Sequence, residues 1–84
     1  MEEFINWLLD VYNALVVEYR KCLGGKDQAR CLRNVYNKLL LLCTNYKPYI
    51  TKAEEYTPMV ISIANSLALL GRDVATRIGE KDPC

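Results

Sequence analysis

The most reactive side chains in this 84-residue sequence are four cysteines, Cys22, Cys31, Cys43 and Cys84. They can pair as disulfides, hold a metal as thiolates or stay reduced. A structural zinc site needs closely spaced ligands, but no two of these cysteines have a Cys-x-x-Cys spacing and the chain has no histidine. No metal and no other cofactor is therefore expected. The short separation of Cys22 and Cys31 suits a bridge across a turn between two helices, worth roughly 2 to 3 kcal/mol. Cys84 competes with that pairing. It can join Cys22 or Cys31 and pin the end of the chain, or join a second chain and make a covalent oligomer. Cys43, in the run LLLLC, reads as a small core hydrophobe.

Other chemistry is weaker. There is no Gly-rich phosphate loop and no nucleophile beside a base, and the acid pairs Glu2 with Glu3 and Glu54 with Glu55 read as charges at helix starts. The six tyrosines recur at helical spacing, where they serve as amphipathic packing with a wet hydroxyl. The expectation is a non-enzyme. Arg30, Arg33 and Asn37 fall on one face of a helix near a cluster of other basic residues, and they are the candidates for contact with a nucleic acid backbone. The formal net charge is only +1, so such binding would depend on a local patch.

Three elements must position these groups. Ile5, Leu8, Tyr12, Leu15, Tyr19 and Cys22 keep a three-four alternation that predicts a helix over about 2–23. Gly24 and Gly25 supply positive backbone dihedrals for a reversal, and Asp27 caps a second helix over about 28–46, with Leu32, Val35, Tyr36, Leu39, Leu42, Cys43 and Tyr46 inward. Pro48 is expected to end it. A capping box at Thr51 and Glu54 then predicts a short turn over 51–56, the alternative being a kinked N-terminal extension of the third helix. Thr57 and Pro58 start the strongest helix, about 58–78, with Val60, Ile63, Leu67, Leu70 and Val74 on one stripe. Ala64, Ala68, Gly71 and Ala75 lie beside that stripe and let a neighbouring helix come close, and Gly79 ends the element. Residues 80–84 form a polar tail.

The chain is thus a single all-α domain: an antiparallel helical hairpin with a third long helix, a three-helix bundle. Its first two helices share a local similarity, VYNALVVEY against VYNKLLLLC, which maps Val17 onto Leu41. Both place an aliphatic residue on an otherwise polar face, so both are candidate oligomer contacts. Composition is that of a folded domain, 51% hydrophobic and 25% charged, but one core in a chain this small is marginal and needs a staple or a partner.

The N-terminus lacks the basic, apolar and small-residue pattern of a signal peptide. The stretch from Thr57 to Gly71 is too short to span a bilayer. An intracellular location without membrane insertion is expected, with a virion as a second setting. Four cysteines without an export signal fit hyperthermophile interiors, as do the missing His and the single Gln, although the several Asn fit less well. The function expected is non-enzymatic assembly: a self-associating bundle that binds protein, forming part of a larger particle such as a viral one. The alternative is a small nucleic-acid-binding protein.

Overall fold

The expected apolar stripes are turned inward where side chains are described, with Ile5 and Tyr12 only partly buried and Tyr46 outside the described side chains. In the computed structural model, which describes residues 2–54 and 58–84, with side chains for 3–45 and 58–84, Leu8, Leu15, Tyr19 and Cys22 of the first helix are buried together. They meet Leu32, Val35, Tyr36, Leu39 and Leu42 of the second helix and Val60, Ile63, Leu67, Leu70 and Val74 of the third in one contiguous core. The elements are α1 (Glu2–Leu23), α2 (Gln28–Glu54) and α3 (Pro58–Ile78). All regular structure among the described residues is helical, and each helix packs against the other two.

α2 sets the length of the molecule. Its 27 residues span about 40 Å at 1.5 Å per residue, which matches the 41 Å long axis. The expected stop at Pro48 does not occur. α2 continues to Glu54, so residues 51–54 belong to it and do not form a separate turn. Pro48 has no N–H to give the Thr44 carbonyl, a defect of about 3 kcal/mol in a helix interior. Extending an already nucleated helix is cheap compared with starting a new one, so a single proline need not end it. The expected cap at Thr57 and the side chains of the expected Thr51–Glu54 box lie outside what is described.

The α1–α2 turn also differs from expectation. Neither Gly24 nor Gly25 adopts a positive φ. Gly25 N–H donates to the Cys22 carbonyl at 3.2 Å, a tight turn built from ordinary dihedrals, and the Asp27 carbonyl accepts the first bond of α2 from Cys31 N–H at 3.1 Å. The left-handed residue is Gly79, at φ +70°. Beyond it Glu80 N–H donates back to the Ala75 carbonyl at 2.9 Å, the wide loop of a Schellman cap.

That cap sends the tail back over α2 and α3. Arg33 meets Glu80 at 3.2 Å, the Tyr36 hydroxyl donates to the Lys81 carbonyl at 2.9 Å, and Arg72 lies 3.9 Å from Asp82. Pro83 is buried against Gly71, where a Cβ would come within 2.9 Å of its Cγ. The close neighbour of Gly71 is therefore the tail and not a helix.

Two disulfides result. Cys22 pairs with Cys31 as expected, with 5.4 Å between Cα atoms. Cys84 pairs with Cys43, also at 5.4 Å, and not with Cys22, Cys31 or another chain. The reason is reach. Cys43 lies roughly 18 Å along α2 from Cys31 at 1.5 Å per residue. The tail meets α2 at Arg33 through Glu80 and at Tyr36 through Lys81, already beyond Cys31, so its remaining residues, about 3.3 Å each when extended, carry Cys84 toward Cys43. Loop closure over separations of 9 and 41 residues is worth about 2.5 and about 4 kcal/mol respectively.

The glycines provide a test. A Cβ at Gly79 meets nothing within 4 Å, so Gly79→Ala carries only the dihedral cost, about 1 to 2 kcal/mol of stability in urea denaturation. Gly24→Ala, whose Cβ would sit 4.0 Å from the Lys21 carbonyl oxygen, is expected to change stability by less than about 0.5 kcal/mol.

Candidate functional site

The two residues singled out for contact lie in different surroundings. Leu41 is 61% exposed and lines a groove of about 330 Å³ between α1 and α2, together with Val11, Ala14, Leu15 and Leu42. Lys38 Nζ crosses it, donating to both carboxylate oxygens of Glu18 at 2.9 and 3.0 Å. Val17 is 51% exposed, but it is not among the residues lining that groove. Exposed apolar side chains also occur where the sequence comparison of α1 with α2 did not look. Leu69 is 65% exposed, beside a second groove of about 560 Å³ between α1 and α3. Its signal was readable, since Leu69 falls off the Val60–Val74 stripe as Leu41 falls off the stripe of α2.

Arg30, Arg33 and Asn37 are all exposed on α2. Of the three, Arg33 is paired with Glu80 of the tail at 3.2 Å. Two further basic side chains near the tail are paired: Arg72 faces Asp82 at 3.9 Å, and Arg77 lies 3.7 Å from Asp73. These pairs are exposed and each is worth little to stability, but they cancel local charge.

A polar cluster that the sequence did not reveal bridges α1 and α3. The Tyr19 hydroxyl donates to Asp73 and accepts from Arg77 Nε at 2.8 Å, while the Arg77 guanidinium lies 5.9 Å from the Tyr19 ring centre. Tyr19 belongs to the core by its ring and reaches the α1–α3 groove by its hydroxyl. Burial, and then the bond donated to Asp73, push its phenol above the ordinary value of 10.0. The hydrogen bond to Tyr19 in turn raises the Arg77 guanidinium. Asp73 and Arg77 are one helical turn apart, but nothing in their spacing announces a tyrosine from α1.

All four cysteines are in disulfides. Among the described residues no three His, Cys, Asp or Glu side chains come together as a metal would require. Among the described helices only α3 is long and apolar enough to cross a membrane, and Val60, Ile63, Leu67 and Val74 on it are buried in the bundle's own core. Comparison with protein families, curated proteins and solved structures finds no match to this chain.

Tyr19 gives a pH prediction. Its folded pKa lies above its unfolded one, so its contribution is fully present below pH 10 and is lost as pH rises through the folded value. Tyr19→Phe is expected to cost about 1 kcal/mol near neutrality and to flatten the decline in stability above pH 10, measured by urea titration at several pH values.

Proposed function

We propose that this chain is a non-enzymatic assembly protein: an antiparallel α1–α2 hairpin backed by α3 that associates with copies of itself through helix faces, as a component of a larger particle such as a virion. The observation that carries this reading is Leu41, which stands 61% exposed at the edge of an apolar groove. A lone exposed leucine means little, but Val17, Met59 and Leu69 are also more than half exposed, and large apolar residues stand out on all three helices.

Pairing with a second copy would cover these side chains without any new fold, and twofold self-association is the commonest solution for small chains. Enclosing Leu41 in an interface also fits the way binding energy concentrates in a few well-packed apolar residues.

Native mass spectrometry and light scattering at two salt concentrations test this. A defined oligomer without nucleic acid is expected. Leu41→Glu should weaken association by at least about ten-fold, roughly 1.4 kcal/mol, with Val17→Glu acting in the same direction. A monomer that carries salt-labile nucleic acid, lost in Arg30→Glu, would overturn the proposal in favour of a nucleic-acid-binding role for Arg30, Arg33 and Asn37.

A further inference from the structure

The two disulfides are placed very differently. Cys22 is 1% exposed within the contiguous core, and Cys31 is partly buried against that core. Opening this bond would leave both sulfurs between two packed helix ends. Cys43 lies outside the contiguous core, and its partner Cys84 is exposed, at the far end of a segment that leaves the helices at Gly79. Thiol exchange requires access to a sulfur, and Cys84 is the most exposed of the four cysteines.

We propose that residues 80–84 form a strap released by thiol reductants: Cys43–Cys84 opens while Cys22–Cys31 and the helical core stay closed, and the strap then lifts from Gly71. This inference is independent of whether the chain self-associates. In the first step a thiolate of a dithiol reductant attacks Cys84 Sγ, forming a mixed disulfide there and expelling Cys43 as a thiolate, which takes up a proton. The reductant's second thiol then closes its own disulfide and frees Cys84 as a thiol. Two electrons and two protons pass to the protein, and the dithiol is oxidised to a cyclic disulfide.

The strap's remaining holds are weak or conditional. Arg33–Glu80 and Arg72–Asp82 are exposed pairs, and one hydrogen bond joins Tyr36 to the Lys81 carbonyl. Pro83 is buried, and its close approach to Gly71 exists only because residue 71 has no Cβ. Gly79, already left-handed and with open space around it, is the hinge. Release uncovers Gly71 on α3 together with the Tyr36 hydroxyl and the Cys43 thiol on α2. The same geometry supplies a way to loosen the strap without touching a cysteine. Gly71→Ala suits the helix interior better, yet its methyl meets Pro83 Cγ at 2.9 Å and must push the strap outward.

The test titrates the full chain with dithiothreitol, traps thiols with N-ethylmaleimide and maps the label by mass spectrometry, with amide NMR spectra at each point. Label is expected on Cys43 and Cys84 at concentrations that leave Cys22 and Cys31 unlabelled. Resonances of Gly71, Tyr36 and Lys81 should shift, and those of Leu8, Leu15 and Val60 should stay. In Gly71→Ala the midpoint for labelling Cys84 should fall by about three-fold or more, and unreduced Cys84→Ser should reproduce the shifts of the opened protein. Labelling of Cys22 and Cys31 at the same midpoint, loss of the core resonances on opening, an unmoved Gly71 resonance after opening, or an unchanged midpoint in Gly71→Ala would each overturn the proposal.

Discussion

Both disulfides have one sulfur on α2. Cys31 near its start takes the end of α1, and Cys43 near its middle takes the end of the tail, so α2 is the rail to which the other elements are fastened. Between those two attachments lie Leu32, Val35, Leu39 and Leu42, the inner stripe that meets α1 and α3. Covalent and apolar constraints thus fall on the same stretch of helix but act on different states. The cross-links chiefly restrict the unfolded chain, while the buried stripe favours the folded one. A domain of this size, whose core alone is marginal, draws on both.

Two tyrosines perform the same task, one on α1 and one on α2. Tyr19 and Tyr36 are each 9% exposed, with the ring in the core and the hydroxyl at its margin. Tyr19 reaches Asp73 and Arg77, tying α1 to α3, and Tyr36 reaches the Lys81 carbonyl, tying α2 to the tail. A leucine in either place would pack but could not hold a polar partner across the boundary. Among the described residues no buried side-chain nitrogen or oxygen is left without a hydrogen bond.

What could be read from the sequence follows from what is local. The stripe Val60, Ile63, Leu67, Leu70, Val74 is buried throughout, and so are Leu32, Val35, Tyr36, Leu39, Leu42 and Cys43, because a 3.6-residue period records the burial of a helix face directly. The Cys22–Cys31 bridge was legible for a similar reason, as it spans one turn. Pro48 carries a local penalty that the cooperativity of the helix around it overrides. Cys43 has the pattern of a core residue and its side chain is buried, but its partner depends on the path of the tail. That path rests on Pro83 meeting Gly71 and on Tyr36 meeting a backbone carbonyl, contacts between residues far apart in sequence that leave no periodic trace. The Tyr19–Asp73–Arg77 cluster escaped for the same cause.

The placement of the two bridges also decides how the chain would carry tension. Force applied between the start of α1 and Cys84 runs through α1 to Cys22, crosses to Cys31, follows α2 as far as Cys43 and leaves through Cys84. Residues 23–30 and 44–83 lie outside that path. All of α3, which provides Val60, Ile63, Leu67, Leu70 and Val74 to the core, is therefore mechanically silent, held in a closed ring that bears no load while both bridges are intact.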